Sequence, residues 1–225
     1  MFIGHFGLGL AAKKINPRPS LGTTFLAAQF IDLLWPFFLM LGMEKVEVEP
    51  GNTVFTPLNF VSYPYSHSLA AVLVWALLFG IIYYLIKKDR GSALLLAALV
   101  ISHWLLDLLT HRPDLPLSFS EQHKMGFGLW NSKMGTIIIE MLIFSLGCFL
   151  YINSTTAKNK AGNIALWSFI VFMIVMYLMN AFGPPPESAS AIPYIGLAQW
   201  ILIAWGYWID ANRGPRILTP ISPHV

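Results

Sequence analysis

Six apolar stretches of roughly 20 residues punctuate the chain, at 21 to 42, 67 to 86, 92 to 111, 133 to 152, 163 to 183 and 192 to 209. Each is long enough to cross a hydrocarbon core of about 30 Å as a helix. The pattern predicts an all-α polytopic membrane bundle of about six transmembrane helices, built as a single membrane domain over residues 1–225. A seventh apolar run, Phe2 to Ala12, is too short to span and is expected to lie in the interface or to re-enter as a short helix. Its positive charges, Lys13, Lys14 and Arg18, follow it, whereas a cleavable signal peptide carries them in front; the segment is expected to be retained. Gly183 and the prolines 184 to 186 end the fifth stretch.

Charge placement then orients the bundle. Lys87, Lys88 and Arg90 follow the second span and Lys158 and Lys160 the fourth, while Lys13, Lys14, Arg18, Arg213 and Arg216 lie near the ends. The opposite loops hold Glu44, Glu47, Glu49 and Glu187 with fewer bases. The positive-inside rule places both termini on the cytoplasmic side. Residues 43 to 66 and 112 to 132 become external loops, rich in Pro and aromatic residues suited to headgroup contact.

Composition agrees with the pattern. Of 225 residues 56% are hydrophobic and 11% charged, too few polar residues to cover a soluble domain of this size. The net charge of +3 sits in clusters beside the spans, so it reads as topology rather than as a nucleic-acid surface. With Cys148 as the single cysteine, an intrachain disulfide and a cysteine-rich metal site are both excluded, and any metal must use His and carboxylates.

Against this background the segment Ser102 to His111 stands out. It reads Ser-His-Trp-Leu-Leu-Asp-Leu-Leu-Thr-His and sets His103, Asp107 and His111 at successive i, i+4 positions within an apolar span. Ionisable groups inside a membrane helix cost a few kcal/mol each on insertion scales and therefore face a polar interior and a partner. Counting about 1.5 Å per residue from the cytoplasmic ends puts Asp32 about 16 Å deep and His103 about 18 Å deep. Glu140 comes near the same level from the external end, and His5 lies about 12 Å deep if the N-terminal run re-enters. His67 begins the second span at its external mouth.

Several helices thus bring His and carboxylates to the outer half of the bundle, the ligand types expected for zinc and also serving manganese or iron. The residues read as metal ligands are His5, Asp32, His67, His103 and Asp107, with Glu140 as ligand or proton acceptor and Asp32 as a second catalytic carboxylate. His111, Arg112 and Lys124 are candidate substrate contacts at the external mouth. The His103–Asp107 pair also fits a plain hydrogen-bonded pair, His67 a serine-capped helix start, and Asp32 a proton-relay carboxylate.

The order of His5-Phe-Gly-Leu-Gly, Ala27-Ala-Gln-Phe-Ile-Asp32, Tyr65-Ser-His67-Ser-Leu and Ser102-His103-Trp-Leu-Leu-Asp107-Leu-Leu-Thr-His111 resembles the membrane-bound metal-dependent hydrolase family. That family is similar in its metal ligands to the bacterial zinc-dependent phospholipase C enzymes. The resemblance covers roughly the first 140 residues and implies the same ligand set: His5, Asp32, His67 and the His103–Asp107 pair. Where the family shows Pro-Asp-x-Asp, this chain has Ile31 before Asp32 and Leu34 at the second acidic position, and Pro64-Tyr65 replaces its Arg-Gly. The implied function is hydrolysis of an ester or phosphoester, of a lipid or lipid-linked substrate, with one or two divalent ions, zinc first. It also implies a bacterial or archaeal cytoplasmic membrane. The alternative is a transporter or permease that uses the same Asp, His and Glu residues for proton or cation coupling.

Overall fold

The computed structural model describes residues 1–216. The chain forms α1 (Ile3–Ile15), α2 (Leu21–Ala28), α3 (Phe30–Met40), β1 (Lys45–Val48), β2 (Leu58–Ser62), the single turn α4 (Pro64–His67), α5 (Leu69–Lys87) and α6 (Arg90–Thr110). There follow β3 (Leu115–Pro116), β4 (Lys124–Met125), α7 (Lys133–Ser154), β5 (Thr155–Ala157), α8 (Lys160–Phe182), α9 (Ile192–Leu197), α10 (Gln199–Ala211) and β6 (Arg213–Pro215). Among the described residues the strands pair as three short antiparallel ribbons, β1–β2, β3–β4 and β5–β6. The architecture is an all-α bundle.

α5, α6, α7, α8 and the stretch Ala189–Ala211 are each long and apolar enough to cross a membrane, and α2 with α3 makes a sixth if the bent pair is one span. The expected first span over 21 to 42 is therefore broken: α2 and α3 meet at Gln29 with a 55° bend. Pro36 lies within α3, which continues through it. The expected second span starts later than 67, because Ser68 caps α5 by accepting from the Ala71 amide and His67 closes the separate turn α4.

The N-terminal run is inserted in the bundle rather than lying on its surface. Ile3, Phe6 and Leu10 are fully buried, and α1 packs chiefly on α7 and α2. Between helices surrounded by lipid there is no hydrophobic drive to associate, so close backbone approach carries the packing. A side chain added at Gly7 would come 2.7 Å from the Ile143 carbonyl, and one at Gly147 would strike the Gly7 backbone. Glycine is what lets α1 sit against α7. The C-terminal end of α1 is tied by Lys13, which is 6% exposed. It pairs with Asp210 of α10 at 3.1 Å and donates to the Pro17 and Pro19 carbonyls. Lys13 is thus a structural cation.

Candidate metal centre

Four of the chain's elements deliver the cluster. Asp32 lies in the first turn of α3, His67 closes α4, His103 and Asp107 stand one turn apart on α6, and His5 is on the buried N-terminal half of α1. His103 Nε2 lies 3.1 Å from Asp107 Oδ2 and 3.6 Å from Asp32 Oδ1. His67 Nε2 lies 3.2 Å from Asp32 Oδ1 and 3.9 Å from Asp107 Oδ2. Two groups of three therefore bring their ligand atoms within 4.8 Å of one another, Asp32 with His67 and His103, and His5 with His103 and Asp107, and His103 belongs to both. Ligands around a tetrahedral zinc with bonds of about 2.0–2.2 Å stand about 3.3–3.6 Å apart, close to the separations of Asp32 Oδ1 from the two histidines. Asp107 turns its other oxygen, Oδ1, to His5 Nε2 at 3.2 Å and to the Met1 amino group at 2.5 Å.

Hydrogen bonding on the far side of each imidazole fixes which nitrogen carries the proton. His103 Nδ1 is 2.7 Å from the Ala28 carbonyl, which only accepts, so Nδ1 bears the hydrogen and in the neutral ring Nε2 presents a lone pair. His103 Nε2 is buried and faces the carboxylates of Asp107 and Asp32. A neutral ring there is an acceptor among acceptors, which is unfavourable unless a proton or a metal cation lies between them. Ala28 is free to take this bond because it is the last residue of α2, where the bend at Gln29 interrupts the ladder.

His67 is held the same way by a longer chain. The Ser66 hydroxyl donates to Glu44 Oε2 at 2.7 Å, which spends its single proton, so Ser66 Oγ must accept from His67 Nδ1 at 2.7 Å. Glu44 Oε1 accepts from the Tyr65 and Ser66 amides at 2.8 and 2.7 Å. His67 Nε2 is then also a lone pair aimed at Asp32. Burial pushes the Glu44 carboxyl above its ordinary value, with His67 and the Ser66 bonds acting against it. Glu44 and Ser66 were missed in the sequence: Glu44 reads as one member of an acidic loop and Ser66 as a helix-start serine.

The other candidates fall in three places. Glu140 is fully buried, but its Oε2 accepts from the Phe2 and Gly4 amides at 2.8 and 3.4 Å, so it fastens the start of α1 and belongs to neither metal-capable group. His111 is buried beside the cluster and bonds through Nδ1 to Asp114 Oδ1 at 2.9 Å, with the Tyr63 hydroxyl touching both. Arg112 is engaged by Asp114 and Asn59, and Lys124 pairs with Glu121 at 3.4 Å, so both bases already have protein partners.

Access is uneven around the cluster. The side chains of His67, His103 and Asp107 are 4%, 0% and 2% exposed, whereas that of Asp32 is 20% exposed. The opening therefore lies on the Asp32 side. No family profile, curated protein or solved structure matches the chain.

Proposed function

We propose that this chain is a membrane-embedded, metal-dependent hydrolase acting on an ester or phosphoester, carried by a lipid or lipid-linked molecule. The observation that carries the reading is the pair of imidazole lone pairs, at His67 Nε2 and His103 Nε2, directed into a nest of two carboxylates. Asp32, His67 and His103 would hold one divalent ion, zinc first, and His103 with Asp107 and His5 forms a second candidate group beside it. When bound, such an ion supplies Lewis acidity and brings the pKa of water toward about 7.

The remaining work falls to the chain itself. Asp32 meets both histidines through Oδ1, and its side chain is the most exposed of the cluster, so its second oxygen would be the one to accept a proton. Ala28 and the Glu44–Ser66 pair keep the two rings in the tautomer that faces the carboxylates. Burial of His103 and Asp107 excludes bulk water from the inner wall. With both termini on the cytoplasmic side, the cluster lies in the outer half of the membrane, within reach of a headgroup from the external leaflet.

The test is turnover by zinc-loaded protein in mixed micelles containing phospholipid, with products followed by mass spectrometry. Hydrolytic products should form and fall at least about 100-fold in Asp32→Asn. Intact lipid across a panel of ester and phosphoester substrates, or hydrolysis indifferent to chelator, would contradict the reading. A transporter is the second reading, supported by the bent α2–α3 pair, since discontinuous helices build transporter sites. Solute flux into vesicles without bond cleavage would favour it.

A further inference from the structure

α7 carries Glu140 near the histidine cluster and ends at Ser154, at the opposite end of the bundle. There the β5–β6 ribbon, the end of α7 and the start of α8 enclose a cavity of about 320 Å³, lined among others by Thr155, Asn163, Trp167, Arg213 and Arg216. Its size falls at the lower end of ordinary ligand pockets, about 300–1,000 Å³.

Arg213 is 6% exposed. Its Nε donates to Thr155 Oγ1 at 3.2 Å, one terminal nitrogen to the Gly162 carbonyl and Asn163 Oδ1 at 3.4 and 3.2 Å, and the other to the Thr155 carbonyl at 3.3 Å. Every acceptor is neutral. Arg216 donates to the Ile152 carbonyl at 3.4 Å. Among the described residues neither guanidinium meets a carboxylate; nearby Asp210 is taken by Lys13, and residues 217 to 225 contain no Asp or Glu. Buried charges are ordinarily paired, because an uncompensated one costs several kcal/mol. Arg213 is such a buried charge, and the exposed Arg216 lines the same cavity, so an anion there would meet two guanidinium groups at once.

The chemistry narrows the anion. Planar guanidinium forks match the oxygens of a phosphate. Ile152, Leu166 and Trp167 form the apolar wall, and Trp167 is 55% exposed on α8, as suits an aromatic ring at a membrane interface. Lys158 and Lys160 stand on the same end, where basic residues attract anionic lipid. We infer that this cavity binds the phosphate of an anionic lipid headgroup, at a site separate from the histidine cluster.

The experiment compares the thermal unfolding of the whole protein, purified in neutral detergent, after addition of phosphatidylglycerol, phosphatidylcholine or inorganic phosphate. Phosphatidylglycerol should raise the wild-type midpoint by about 5 °C or more over phosphatidylcholine. The gain should fall by at least half in Arg216→Gln and Arg213→Gln. Arg216 is exposed, so Arg216→Gln carries the test if Arg213→Gln does not fold, and unchanged metal content in it separates this site from the histidine cluster. A gain from inorganic phosphate equal to that from phosphatidylglycerol would overturn the lipid as source and leave a free phosphate ligand. Equal midpoints with both lipids, or a gain untouched in Arg216→Gln, would overturn the site.

Discussion

The imidazole of His5 lies flat on that of His103, with ring centroids 3.5 Å apart and planes 8° from parallel. The stack ties the depth of α1 to the cluster on α6, and α1 keeps that depth by its glycine contact with α7. Two imidazoles so close are compatible with the lone-pair state that a cation requires, whereas two imidazolium rings would repel.

Gly147→Ala should therefore disturb the centre although it touches none of its residues. The added methyl meets the Gly7 backbone, which cannot yield as a flexible side chain would. A loss of about 1–3 kcal/mol is expected from overpacking, read as a lower unfolding midpoint in detergent together with weaker metal retention. Unchanged stability would show that α1 is not seated on α7 in this register.

Glu44→Gln and Ser66→Ala should weaken metal binding about 10–100-fold while leaving Asp32, His67 and His103 in place. Both remove the fixed hydrogen-bond direction behind His67. Competition with a chelator of known affinity gives the measurement. Identical affinity in both variants would mean that the ring is oriented by other contacts.

Acidification should destabilise the end of the bundle that holds His111 and Asp114. Burial holds the His111 imidazole below its ordinary value, opposed by Asp114, so below about pH 6.5 the unfolded chain takes up a proton the folded one refuses. Burial pushes the Asp114 carboxyl up, but hydrogen bonds from His111, Arg112 and Tyr63 outweigh it and hold the carboxyl below the usual range. Its contribution is complete above about pH 4 and is lost as pH falls further, through its lowered folded value. Both signs point the same way. Asp114→Asn should lower the midpoint at neutral pH and flatten its decline below about pH 4, in thermal scans from pH 7 to 3. A decline as steep as that of the wild type would remove Asp114 from the account.

Much of the site was legible because its residues are expensive where they stand. Histidine and aspartate at i, i+4 in an apolar helix, and Asp32 and His5 within other apolar runs, have few reasons to exist apart from a shared polar partner. The residues that orient them carried no such signal. Glu44 and Ser66 sit in a loop where acids and serines are cheap, and their meeting with His67 depends on how the β1–β2 ribbon folds back. The alternation of Lys45-Val46-Glu47-Val48 was the local sign of that ribbon.

The break at Gln29 was hidden for a different reason. Neither glycine nor proline marks it, while Pro36, the visible breaker, lies inside an unbroken α3. Glu140 shows the converse case. Its depth suggested chemistry, yet its nearest partners are the amides that open α1, where a carboxylate complements the exposed N–H groups.

The claim on which the function depends is that Asp32, His67 and His103 share an ion. Elemental mass spectrometry of protein purified without chelators tests it directly, on the wild type and on His67→Ala and His103→Ala. The account predicts about one divalent ion per chain in the wild type, zinc or a first-row relative, and loss of most of it in both variants. A folded wild-type protein free of metal, or full retention in both variants, would contradict it.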